Sequence, residues 1–287
     1  MQKGMKNDVL VLFGAVCLCF HTAHAQIESG TVIVLQLTKN EFVIAADSRA
    51  FFPNKPPEDT HCKIAALDSQ FVFGVDAAAS YTPGEADIFR PSWTAIGEAK
   101  RIARTYPAAS LSGAEATVNA IADSWAISLK DKWSGLYAVY PDRVSAAAKM
   151  GNGVLTNGFF ALAHNHVIGF AVRSITFDGQ KVNASVPPLP FCKAKPCAAG
   201  KNDVTMEFIK LTSKRARKEM RHFIVPPSVL AHASFEMARA VRLVELTIKY
   251  DTTQAVGGPV DGLELLNNGS IRWFRRKDNC PAGETKP

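Results

Sequence analysis

The chain has 287 residues, 47% of them hydrophobic, and a formal net charge of +7. That apolar share is enough for a sizeable core and excludes the disordered and fibrous classes. Much of the positive charge gathers in KLTSKRARKEMRHF (210–223) with no aromatic platform or known module beside it, which disfavours nucleic acid as a partner. The run reads as a solvated helix face, compatible also with attraction to anionic lipid or cell-wall polymer.

In chain order, residues 1–25 read as a signal peptide: lysines, the short apolar run LVLFGAVCLCF, then HTAHA with its small-x-small ending. The apolar run is too short for a stable bilayer anchor and no later stretch is longer, so the expectation is an exported chain, periplasmic or extracellular, with no integral membrane segment. TVIVLQLT (31–38) and FVIAAD (42–47) predict a hairpin joined by KNE, and CKIAALD (62–68) with FVFGVD (71–76) predicts a second, turning near Ser69. Two helices follow over 92–106 and 113–133, with apolar residues at three- and four-residue spacing. GLYAVY (135–140), the 158–177 stretch and VTMEFIKL (204–211) read as strands, around a Pro/Cys/Gly-rich insertion at 185–203. A long helix over 229–250 precedes a closing hairpin at 260–276, signalled by Asn268-Gly269.

Grouped rather than alternating elements argue against a doubly wound parallel sheet. The expected class is α+β, a four-layer αββα sandwich of two antiparallel sheets with helices on both outer faces. No linker divides 31–287, which reads as one domain.

Four cysteines remain beyond the signal, an even number that in an exported chain points to disulfides. The short loop CKAKPC favours Cys192–Cys197, and elimination leaves Cys62–Cys280. No paired C-x-x-C supports zinc. His164 and His166 in HNH share a strand face in this reading but lack a third ligand, so no metal and no cofactor is expected. No G-x-S-x-G elbow, P-loop or G-x-G-x-x-G occurs.

Asp47 lies 16 residues after Thr31, and Lys63 16 after Asp47. In a hairpin Thr31 opens one strand and Asp47 closes its partner, so a hydroxyl, a carboxylate and, from the next strand, an amine converge at one end of a sheet. GT at 30–31, VIAADSRA at 43–50, CK at 62–63 and KYDTTQAVGGPVDGLEL at 249–265 together resemble the proteasome β-subunit family of N-terminal nucleophile (Ntn) hydrolases.

The resemblance implies an Ntn fold and a threonine-type hydrolase acting on a peptide or other amide bond. Cleavage after Gly30 would expose Thr31 as nucleophile, with its own α-amine as base, so residues 26–30 read as a short propeptide. Lys63 would depress the amine pKa, Asp47 would hold Lys63, and Asp251 would support the site. The backbone N–H of Ala77 or Ala78 would stabilise the oxyanion, where the family usually has glycine. Gln254 stands where the family has a serine, and no Gly-Ser-Gly element is present. The rival reading is a catalytically silent domain of the same fold, used for binding or assembly. A homo-oligomer is compatible with either reading.

Overall fold

In the computed structural model, the described residues are 26–27, 31–50, 56–82, 91–106, 113–187, 192, 195–278 and 280. The expected signal peptide (1–25) and the expected cleavage residue Gly30 lie outside them. A short strand β1 (Gln26–Ile27) precedes the first hairpin, β2 (Val32–Leu37) and β3 (Glu41–Ala46). The Thr38 hydroxyl closes that hairpin by accepting the amides of Asn40 and Glu41. Ile33, Leu35, Phe42 and Ile44 enter one core while Val32, Val34, Val43 and Ala45 enter another. Strand side chains alternate between faces, and here both faces are covered, which is why these strands read as unbroken apolar runs.

The second hairpin is β4 (Ile64–Ala66) with β5 (Phe71–Ala77). Strands β6 (Ser80–Thr82) and β7 (Trp93–Thr94) lead into α1 (Ala95–Ala103), whose N-terminus is capped by the Thr94 hydroxyl. Helix α2 (Ala114–Tyr137) and helix α3 (Pro141–Met150) follow, then the long hairpin β8 (Val154–His164) and β9 (Val167–Phe177) with β10 (Val182–Ser185). After β11 (Cys197–Gly200) come α4 (Asp203–Lys210), α5 (Lys214–Arg221), α6 (Pro227–Leu230) and α7 (Phe235–Tyr250). The chain closes with β12 (Asp261–Leu266) and β13 (Ile271–Arg275).

Among the described residues these strands form two five-stranded antiparallel sheets, ordered β10-β9-β8-β5-β4 and β11-β2-β3-β12-β13, and a small sheet β1-β6-β7. The expected α+β class with two antiparallel sheets is what the fold shows. Ile33, Leu35, Phe42 and Leu263 of one large sheet pack with Val72, Phe159, Ala161 and Val172 of the other. On the outer face of the β5–β8 sheet, Phe73 and Phe160 meet Trp125, Leu129 and Trp133 of α2. On the outer face of the β2–β3 sheet, Val34 and Val43 meet Met237, Val241 and Val244 of α7.

Four local expectations give way to tertiary packing. GLYAVY (135–140) is the end of α2 and the turn after it: Leu136 is buried on the stripe of Trp125, Leu129 and Trp133, so the 3.6 period runs on. VTMEFIKL is helix α4, because Thr205 and Phe208 point inward three residues apart, with Thr205 hydrogen-bonded to Thr247 of α7 at 2.6 Å. The long helix over 229–250 breaks at Ser234, which caps α7 by accepting the Met237 amide. The Pro/Cys/Gly-rich insertion contributes β11, an edge strand pairing Cys197–Gly200 with Leu35–Val32. The basic run forms α5, exposed apart from buried Ala216 and half-buried Glu219 and Met220.

Both cysteine pairings are present: Cys62–Cys280 with Cα atoms 5.4 Å apart and Cys192–Cys197 at 5.2 Å, inside ordinary disulfide range. No helix among the described residues is long and apolar enough to cross a membrane.

Candidate active site

The carboxylate of Asp47 organises one end of the β2–β3 sheet. It is wholly buried, and four N–H groups converge on it. Oδ1 accepts the Val32 amide at 2.9 Å and the Lys63 ammonium at 3.1 Å. Oδ2 accepts the amides of Arg49 at 3.2 Å and Gly257 at 3.0 Å. Lys63, also fully buried, donates in addition to the carbonyl of Arg49. A buried ion pair is tolerated only when it is further hydrogen-bonded; here three backbone amides also donate to Asp47, and the Arg49 carbonyl accepts from Lys63.

The polar ending of β3 thus has a structural cause. Asp47 binds the neighbouring strand and Lys63, while Ser48 donates to the Pro259 carbonyl at 2.6 Å. Arg49 makes a two-pronged pair with Asp59, at 2.7 and 2.8 Å. That pair raises the Arg49 pKa and lowers that of Asp59.

Thr31 stands immediately before β2 and is buried. Its carbonyl accepts the Lys201 amide at 2.7 Å, and its chain neighbour Val32 shares an Asp47 oxygen with Lys63. The fold therefore brings Thr31, Asp47 and Lys63 to one end of the sheet. The 251–257 turn is the fourth component. Asp251 accepts the amides of Thr253, Ala255 and Val256 and the Thr253 hydroxyl. Burial opposes ionisation of Asp251, but those hydrogen bonds outweigh it and hold its pKa below the ordinary value. Asp251 reaches the centre at one remove, by shaping the turn whose Gly257 amide binds Asp47.

Thr31 opens on a cavity of about 610 Å³ lined by Asp76, Ala77, Asn157, Lys201 and Thr253, among others. Of the two amides considered for an oxyanion, that of Ala78 donates to the Leu155 carbonyl at 2.9 Å. Ala77 lines the cavity with φ of 62°. This is left-handed backbone that suits glycine, and alanine adopts it at a cost of about 1–2 kcal/mol.

Sequence reasoning missed Asp76, the last residue but one of β5. It is fully buried; Oδ1 accepts the Asn157 side chain at 2.7 Å, and Oδ2 has no partner among the described residues. Burial pushes its carboxyl up to about 7, against the opposing effects of the Asn157 hydrogen bond and the Lys63 charge. The signal was available: FVFGVD, like FVIAAD, is an apolar strand closed by an aspartate.

The histidines do not lie on one strand face. His164 ends β8, and Asn165 and His166 form the turn to β9 with φ of 50° and 61°. No group of three metal-ligating side chains occurs among the described residues.

No protein-family model matches the chain, and no curated protein matches it significantly.

Proposed function

We propose that the chain is an exported threonine-type hydrolase of the Ntn class, related in fold to the proteasome β-subunits. It acts on a peptide or other amide bond after removing its own residues up to Gly30. The observation that carries the reading is the shared Asp47 oxygen: one carboxylate fixes both the backbone next to Thr31 and the Lys63 ammonium.

Threonine is a weak nucleophile and needs a base in hydrogen-bond reach. Once Thr31 is the first residue, its α-amine has an ordinary pKa of about 7.7–8.0. The nearby Lys63 charge lowers that value, because a like charge disfavours protonation. The amine takes the hydroxyl proton, Oγ1 attacks the substrate carbonyl, and the Ala77 N–H faces the developing oxyanion. The amine returns the proton to the departing nitrogen. Water then hydrolyses the acyl ester and restores the hydroxyl. Two disulfides support the exported setting.

The engaged Ala78 amide and the strained Ala77 favour the rival, a silent domain of the same architecture. Intact mass of the purified protein decides between them. The hydrolase begins at Thr31, and its Thr31→Ala variant begins near Gln26. If both begin at the same residue, self-processing is wrong.

A further inference from the structure

Before the leader is removed, the Thr31 nitrogen belongs to a peptide bond. Its lone pair is delocalised into the carbonyl, so it cannot serve as the base that later turnovers use. The first cleavage needs another proton acceptor close to Thr31. Three fully buried ionisable groups stand there: Asp47, Lys63 and Asp76. Asp47 has both oxygens occupied, each by two N–H donors. Lys63 is a donor, to Asp47 and to the Arg49 carbonyl.

Asp76 differs. One of its oxygens, Oδ2, has no partner among the described residues, and Asp76 is among the residues lining the same cavity as Thr31. Gly200 marks how close the two are. A methyl placed on Gly200 would lie 2.1 Å from the Thr31 carbonyl oxygen and 3.6 Å from Asp76 Oδ2.

We infer that Asp76 is the acid–base group of the self-cleavage step, taking the Thr31 hydroxyl proton and returning it to the Thr31 nitrogen as that nitrogen departs. The inference rests on the hydrolase reading above. The Asp76 carboxylate accepts the hydroxyl proton, directly or through one bridging water, and Oγ1 adds to the Gly30 carbonyl carbon. The Gly30–Thr31 C–N bond then breaks, its electron pair and the proton held by Asp76 going to nitrogen. The product is an ester of Gly30 on Thr31 with a free α-amine. Water hydrolyses that ester with the new amine as base, releasing the Gly30 carboxyl and restoring the hydroxyl. Asp76 is therefore needed once per chain.

The affinity of this carboxyl for protons suits the task, since burial places its titration near 7, where an acid–base group exchanges protons most effectively. The charge that acts on it is that of Lys63, paired with Asp47 ahead of β4, and Lys201 and Asp203 of the β11–α4 segment line the same cavity. Asn157 of β8 is its neutral neighbour.

The test compares the full chain with its Asp76→Asn variant, each made also with residues 27–30 replaced by the recognition sequence of a protease that cuts before Thr31. Intact mass follows maturation, and a β-lactone probe that acylates a terminal threonine reports the mature site. The expected result is maturation slowed about 100-fold or more by Asp76→Asn, with parental labelling once Thr31 is exposed by the added protease. Maturation of Asp76→Asn at the parental rate overturns this inference and leaves the hydrolase reading standing. A parent that neither matures nor labels overturns the hydrolase reading itself. A folded Asp76→Asn chain that stays unlabelled after external cutting shows a role in turnover, and overturns the single-use assignment.

The unsubstituted chain gives a second measurement if the variant does not fold. Denatured precursor is refolded at about pH 5.5 and about pH 8, with hydroxylamine present to release any ester and so time the first step alone. Cleavage about tenfold or more slower at the lower pH is expected, because a protonated carboxyl cannot accept. Equal rates overturn the inference.

Discussion

Asp47 and Asp76 are both fully buried, both close a strand of an apolar hairpin, and both feel the Lys63 charge, yet their surroundings are opposite. Asp47 is saturated: the amides of Val32 in β2, Arg49 beyond β3 and Gly257, and the Lys63 ammonium, all donate to it. Asp76 is left short, with one oxygen bound by Asn157 and the other unpartnered among the described residues. A saturated buried carboxylate ties elements together, and its removal loosens the fold. A short-changed one costs stability, and folds keep such groups where chemistry uses them.

The sharpest break of this comparison is Asp47→Ala. It leaves the Lys63 ammonium buried without its carboxylate, so the fold should lose about 3–5 kcal/mol. Urea unfolding of parent and variant at neutral pH measures it. A loss below about 1 kcal/mol, the scale of a surface pair, would mean that Asp47 is no organising centre.

Asp76→Asn should move stability the other way. The folded carboxyl titrates near 7 against an ordinary 3.8, so between those values the native state holds a proton that the unfolded chain has released. Stability therefore falls as pH rises through that window. The asparagine chain escapes this loss and should exceed the parent by on the order of 3 kcal/mol above pH 7, with the gap closing toward pH 4. A pH-independent difference between the two unfolding curves would remove the contrast between the carboxylates.

The smallest effect expected is at the seam between Asp76 and Thr31. Gly200 has φ of 75°, and a methyl there meets the Thr31 carbonyl oxygen at 2.1 Å. Backbone cannot swing aside as a flexible side chain does, so Gly200→Ala should cost about 1–3 kcal/mol and displace β11 from β2. Thermal unfolding reads the first effect, and amide exchange at Lys201, whose N–H binds the Thr31 carbonyl, reads the second.

Part of this site was legible in the linear chain because it is local in register. Thr31 begins one hairpin strand and Asp47 ends the other, so counting along an antiparallel pair places them together without reference to any tertiary contact. Lys63 followed from the next strand entering at the same end. Asp76 carried the same mark, an acid closing an apolar run, but nothing in FVFGVDAAAS distinguishes a paired carboxylate from an unpartnered one. That distinction depends on Asn157, which lies 81 residues away. The helical state of 204–211 was hidden for a similar reason. Its few apolar residues fit either period until Thr205 and Phe208 meet α7.

By itself, then, the sequence determined the hairpins, the grouping of strands and helices and the spacing of Thr31, Asp47 and Lys63, because these follow from side-chain periodicity and short-range turn chemistry. Tertiary structure alone decided how each buried carboxylate is satisfied, which segment becomes the edge strand beside Thr31, and how the 251–257 turn reaches Asp47. Those outcomes hang on contacts between distant parts of the chain, where burial strips water from a polar group and leaves its fate to whichever neighbour the packing supplies.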